Sequence, residues 1–428
     1  MKRLLPIFLL LLLSISCHGE REPRVDKTTL VFKHGKAAGA KTIKELIHRF
    51  ERQNPDIMVI EEILPATTDE QHQFYITNLG GKASSFDVMA LDIIWVAEFA
   101  QAGWLVNLTA RMPEEEIRKF LRGPLEADTY NGWLYAVPWY VDAGVLYYRK
   151  DLLAKYGLES PRTMEELLAS ARKVLEEEKD PELYGFIWQG KQYEGLVCVA
   201  LEFIRGNEGQ ILDTEGNCQL KDPRVMYALD FMRDLIYKYK VSPTLVTTAD
   251  EESTRHIFGR GRALYMRNWP YAWNLFQEEG SKVRGMVGVA AMPPFRGNES
   301  VATLGGWQLG INRYSRHHDA SWKFIEFMTS YESQKSLTLG AGFKPTRKAV
   351  YSDPDLIRKQ PFTAELYPII ADARPRPVTP FYLMISQVLQ SEFSAAINGI
   401  TTPQKAVAQA EKEIMRILEL EQFWRQRS

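Results

Sequence analysis

The sequence predicts an α/β protein with enough chain for two packed lobes, and three observations carry that expectation. The 428 residues are 45% hydrophobic and 25% charged, a globular balance that excludes collagen-like, disordered and multi-span membrane classes. Strand-like runs alternate with runs of helical period along most of the chain. There is no repeat of solenoid period and no low-complexity tract.

The chain opens with Lys2 and Arg3, a largely apolar run from Leu4 to Leu13, and then small residues. That is the layout of a secretory signal over residues 1–16, expected to be cleaved. SIS followed by Cys17 is similar to the lipobox of bacterial lipoproteins, in which the cysteine is acylated and becomes the new N-terminus. On that resemblance Cys17 is the lipidation site and the polar residues 17–26 a lipidated tether, with a plain signal peptide and an incidental cysteine as the alternative. A spanning anchor needs about 20 apolar residues, and no second run of that length follows.

TTLVFKH reads as a strand, and Ile43, Leu46, Ile47 and Phe50 make one apolar helical face behind it. NPDIMVIEEIL returns as a strand, and FDVMALDIIWVAEFAQAGWLVNL repeats the alternation, which argues for a parallel sheet covered by helices. The Asn-Gly pair in TYNGWLYAVPWY marks a hairpin. Thr163 with Glu166 opens a helix as a capping box, burying Leu167, Leu168, Ala171, Val174 and Leu175. Further helices are expected at RVMYALDFMRDLIYKY, ASWKFIEFMTSYES and KAVAQAEKEIMRILELEQ, the last led by Thr402 and Pro403.

Lys and Arg number 53 against 54 Asp and Glu, so no basic field exists to hold a phosphate backbone and nucleic acid is not an expected partner. Cys198 and Cys218 are expected to pair in an oxidising compartment, with two buried thiols as the alternative. No CxxC is present.

The motifs of common chemistries are missing. There is no GxSxG, HExxH or GxxxxGK[ST], and the GxG at Gly259 and Gly261 has Leu264 where a dinucleotide fingerprint needs a third glycine. The adjacent His317 and His318 point apart on a helix start. No cofactor and no metal are therefore expected. Glycoside hydrolysis needs only two carboxylates about 5 to 10 Å apart, which no spacing in a sequence excludes, so a secreted glycosidase using Asp92 and Asp142 is the enzymatic alternative.

What is present is a set of short segments joining aromatic rings to carboxylates or amides. They are Asp92 with Trp95, Trp139 and Tyr140 with Asp142, Trp188 with Gln189, Gln192 and Tyr193, Trp269 with Trp273, and Gly306 with Trp307. A pyranose offers one face of C–H groups to an aromatic plate and a rim of hydroxyls to planar acceptors and donors. Each residue alone could be a helix cap or core, yet a Gly-Gly before Trp307 points to a ligand approaching the backbone.

DVMALDIIWVAEFAQAGWL, PWYVDAGVLYYRKDLLAKYGL, WQGKQYEGL, TLGGWQLGIN and RPVTPFY, in this order after the lipobox, resemble the family 1 extracellular solute-binding proteins of sugar ABC importers, most closely the trehalose/maltose-binding branch. The resemblance implies a type II two-lobe periplasmic-binding-protein fold, with hinged lobes joined by crossover segments. It assigns residues 27–140 plus 287–340 to lobe 1 and 141–286 plus 341–428 to lobe 2. It implies sugar contacts from Asp92, Tyr140 and Asp142, stacking by Trp269 and Trp307, a backbone donor at Gly306, and Arg376 reaching in from lobe 2, with Arg374 as a competitor. His34, Thr68 and His72 sit where the family places further first-lobe polar contacts. The Cys198–Cys218 spacing is similar to a pair seen in that branch. The implied role is a monomeric, lipid-anchored periplasmic receptor that catalyses nothing and passes a disaccharide to permease subunits served by a separate ATPase.

Overall fold

The computed structural model describes residues 27–425 except 36–38, 66–67, 214 and 296. The expected signal, Cys17 and the tether lie outside the described residues. In chain order the strands are β1 Thr28–Gly35, β2 Ile57–Leu64, β3 Val88–Asp92, β4 Thr129–Tyr130, β5 Trp133–Leu134, β6 Ala136–Ala143, β7 Val145–Arg149, β8 Tyr184–Ile187, β9 Ala263–Asn268, β10 Val287–Ala291, β11 Leu304–Ile311 and β12 Lys344–Pro345.

Two sheets organise the chain. The first has the order β12-β6-β11-β3-β1-β2, with β1 parallel to β2 and β3, and β11 antiparallel to both β3 and β6. Its strands alternate sides: Val88 and Ala90 pack on one face with Phe50 and Phe324, while Met89 and Leu91 pack on the other with Tyr75 and Phe99. Helices thus cover both faces, as the β-α-β pattern requires. The second sheet, β10-β7-β9-β8, carries the other core, against helices Met164–Glu178, Glu194–Arg205, Pro223–Tyr237 and Tyr382–Ile397.

Local chemistry accounts for several boundaries. Asn131 and Gly132 both take positive φ, 49° and 81°, and close the β4–β5 hairpin. Thr163 accepts the N–H of Glu166 at 3.1 Å, and Glu166 accepts that of Arg162 at 2.8 Å. The expected single helix at ASWKFIEFMTSYES is two, because Ser330 caps a new one by accepting the N–H of Ser333. Among the described residues, no helix is long and apolar enough to cross a membrane.

The first crossing lies close to its expected boundary, but the second and third come well after theirs, at Thr303 and Arg374. β6 stays in the first sheet to Ala143 and the chain crosses at Gly144; β10 pairs with β7 in the second sheet, so residues 287–291 belong there; and β12 returns to pair with β6. At Gly144 no side chain fits, since a Cβ would run into Glu202 and Arg267. The next crossing is stitched to it, Gly144 N–H donating to Thr303 O at 3.2 Å, and Thr303 bridges to Arg374 of a third crossing segment.

The expected disulfide is not formed: Cys198 and Cys218 are free. Cys198 belongs to the helix Glu194–Arg205, with its Sγ 3.9 Å from Glu194 Oε1, whereas Cys218 bridges to Leu212 in the loop beyond that helix. Burial pushes the Cys198 thiol up to about 12, so it is held as a neutral, packed group.

Candidate functional site

Strand register assembles the first wall. Trp307 on β11 stands opposite Asp92 on β3 and Tyr140 on β6, and Gly305 stands opposite Asp142. Directly opposed residues of antiparallel strands share a face, so an acid, an indole, a phenol and a second acid form one row. Trp307 rests edge-on against the buried Trp95, centroids 5.7 Å apart, and Tyr140 stacks on Phe343 at 4.2 Å.

Trp269 arrives from the second lobe, directly after β9. Its six-membered ring lies 3.4 Å from where a Cβ of Gly305 would be, so Gly305 is the gap that lets the indole meet the row. Gly306 has a different cause from the one read in the sequence. Its φ is 130°, and a Cβ would come within 2.5 Å of Tyr140 O, so the glycine answers to close strand packing just before the irregular step between Trp307 and Gln308.

Arg376 joins the lobes. Its Nη1 donates to Glu194 Oε1 at 2.9 Å, and its Nη2 lies 3.6 Å from Asp92 Oδ1, while Nε is buried without a partner. Glu194, at the start of its helix, also accepts from Tyr382 Oη at 2.6 Å and from Ser386 Oγ. Burial would lower the Arg376 pKa, but the neighbouring carboxylates of Glu194 and Asp92 oppose this and the guanidinium stays charged. Asp92 is raised by burial, with Arg376 pulling the other way. Asp142 is pushed up to about 7 by burial, against the opposing pull of Lys344 and with a further upward push from Asp92.

A cavity of about 530 Å³ opens beside the row, within the size range of small-molecule sites. His34, Gln71, Trp139, Tyr140, Asp142 and Trp307 line it from the first lobe, and Tyr271, Asn274 and Glu278 face them from the second. Gln71 Oε1 and Trp139 Nε1 are buried without partners in this lining. A larger opening of about 730 Å³ on the second lobe is lined by residues such as Arg205, Asp213 and Asn298 and by no aromatic ring. Among the described residues no cluster of His, Cys, Asp and Glu is placed to hold a metal ion.

Of the residues singled out in the sequence, His34, Tyr140, Asp142 and Trp307 line the cavity, and Asp92, Gly306, Trp269 and Arg376 adjoin that row. His34 is held by Gly35 O at 2.8 Å and Glu61 Oε1 at 2.9 Å. His72 instead faces Glu98 at 2.8 Å behind Trp95, and Thr68 is exposed at the start of the helix Thr68–Gly80. Trp188 and Gln189 are core residues, donating to Ser242 and to Thr254 and Arg267 O. Sequence reading missed Glu194 and Glu251. Glu194 lay within a quoted aromatic segment, but Glu251, which accepts from Trp269 Nε1 and Tyr193 Oη, follows Asp250 and reads as an ordinary acidic helix start.

Comparison with known proteins agrees with this architecture. The profile described as bacterial extracellular solute-binding protein matches residues 35–335. A probable ABC transporter-binding protein of Deinococcus radiodurans is 37% identical over 355 residues, 82% of this chain and 83% of that one. The maltose-bound MalE3 structure of T. maritima is 42% identical with a TM-score of 0.83, covering 91% of this chain and all of that one. A solute-binding protein of Thermotoga lettingae solved with α-D-tagatose is 26% identical with a TM-score of 0.79, covering 92% and 100%. With two sheets joined by crossing strands around an aromatic and acidic cleft, and a profile match over most of its length, the chain belongs to the bacterial extracellular solute-binding proteins.

Proposed function

We propose that this protein is the sugar receptor of an ABC importer, taking an α-linked disaccharide of the maltose or trehalose kind into the interlobe cleft and presenting it to permease subunits driven by a separate ATPase. The observation that carries the reading is the row Asp92, Trp307, Tyr140 and Asp142 on the first lobe, faced by Trp269 and Arg376 from the second. Rings take the C–H faces of a sugar, and carboxylates and the guanidinium take its hydroxyls. The maltose bound to MalE3 supports the disaccharide, since that chain is 42% identical over nearly the whole length. Second-lobe contacts exist only when the lobes meet, so ligand favours the closed form, which is the signal the permease reads. The receptor acts as a monomer in the periplasm or at the cell surface, tethered through acylated Cys17, and leaves its sugar unaltered.

Calorimetry over some twenty mono- and disaccharides tests this. Stoichiometric heat with maltose or trehalose and no product supports it. Net hydrolysis would assign the protein to the glycosidases through Asp92 and Asp142, and tighter binding of a different glycoside would replace the disaccharide.

A further inference from the structure

Glu202 and Arg267 form a buried charged pair outside the lining of the cleft cavity. Arg267 on β9 directs Nε and Nη2 to the two carboxylate oxygens of Glu202 at 2.8 and 2.6 Å, and both side chains are 0% exposed. Arg267 Nη1 is taken up by Gln189 Oε1 at 3.2 Å. Two charges so fully removed from water add little stability over an apolar pair of equal bulk, so their presence calls for another explanation.

Location supplies it. Glu202 Oε1 accepts the N–H of Thr303 at 3.2 Å, immediately before β11, and the first crossing, at Gly144, has no room for a side chain because Glu202 and Arg267 fill it. The pair therefore lies beneath two of the crossing strands. On its other side the guanidinium carbon sits 4.1 Å from the centroid of the Trp269 ring, whose edge is lodged against Gly305. The cation thus backs the indole whose edge meets the first-lobe row at Gly305.

Resting on the sugar-receptor reading above, we infer that Glu202 and Arg267 are positioning residues for sugar binding. They fix the tilt of Trp269 and the course of the crossing strands together, and they never touch the sugar. The carboxylate holds the guanidinium in plane, the guanidinium backs the indole, and the same carboxylate pins Thr303.

The test compares E202L/R267M, which replaces the pair by apolar side chains of similar bulk, with R267K, which keeps a cation but loses the planar fork. Melting without sugar and calorimetric titration with maltose and trehalose are measured for each. The expected result is affinity about ten-fold weaker for E202L/R267M, whose melting temperature also falls because the Thr303 N–H and Gln189 Oε1 lose their partners, and about three-fold weaker for R267K. A merely structural pair predicts a lowered melting temperature with unchanged affinity, and that outcome overturns the inference. Should E202L/R267M fail to fold, R267K decides alone, and affinity within two-fold of the unaltered protein overturns it. No heat from the unaltered protein with either sugar removes the disaccharide reading and this inference with it, whereas equal heat from unaltered and altered proteins removes only the positioning role.

Discussion

Acidification from about pH 7.5 to about pH 5.5 is expected to weaken sugar binding through Asp142. This carboxyl is pushed up to about 7 by burial, Lys344 resists the rise, and Asp92 adds to it. The groups facing it are Lys344 on β12, itself lowered to about 8 by burial, Asp92 on β3, and Tyr140 on its own strand, which burial holds neutral. Hydroxyl donors from a sugar favour the ionised carboxylate and return its pKa toward the ordinary range, so the free protein must lose a proton to bind tightly. With a free pKa of about 7 and a bound pKa well below 5.5, the penalty at pH 5.5 relative to pH 7.5 is about twenty-five-fold in Kd, or about 2 kcal/mol. Stability of the empty protein runs the other way. A raised folded pKa contributes stability that is complete below the unfolded Asp value near about 4 and is lost as pH rises through about 7. The sugar-induced rise in melting temperature should therefore grow with pH. Calorimetry at three pH values, in buffers of different ionisation enthalpy, measures both the affinity slope and the proton released. Affinity constant within three-fold over this range, or an unaltered slope in Asp142→Asn, would refute the argument.

Trp307→Ala should weaken sugar binding by about 1 to 3 kcal/mol with little change in melting temperature, since the ring is a half-buried cleft wall; calorimetry with unchanged affinity would remove it from the site. Gly306→Ala should lower unfolding free energy by at least about 2 kcal/mol in a urea titration, because its φ of 130° and the nearby Tyr140 O leave no place for a methyl group. Arg376→Met should cost about 2 kcal/mol or more in affinity by stripping Asp92 and Glu194 of their shared cation, and a near-normal Kd would show that the guanidinium serves only to join the lobes. Added reductant should leave the melting temperature unchanged, and Cys198 should react with a thiol reagent only after unfolding, because both thiols are free and Cys198 is buried.

The first sheet was legible because its signals are local. Val88 to Leu91 alternate faces within five residues, and the amphipathic helix at Ile43–Phe50 needs only its own spacing to be recognised. The row Asp92, Trp307 and Tyr140 could be suspected as aromatic-acid segments, but their alignment depends on β11 lying between β3 and β6, a long-range choice that no window of residues displays. His72 illustrates the limit. The family resemblance places it among the first-lobe contacts, yet the helix Thr68–Gly80 turns it toward Glu98 and Phe99. The cysteine pair failed for a related reason, since an interval of twenty residues says nothing about which side of the helix Cys198 occupies. Glu202 and Arg267 were invisible for the opposite reason: charged residues in a helix and at a strand read as surface, and only their mutual fork makes burial tolerable.

The stitched crossings have a mechanical consequence. Gly144, Thr303 and Arg374 are bonded to one another as well as to their own strands, so the three connectors form a short ribbon rather than three separate threads. A ribbon flexes easily about one axis and resists shear and torsion. The two halves are thereby confined to a single swing, and a partner in the membrane needs to sense only one angle to tell an occupied receptor from an empty one.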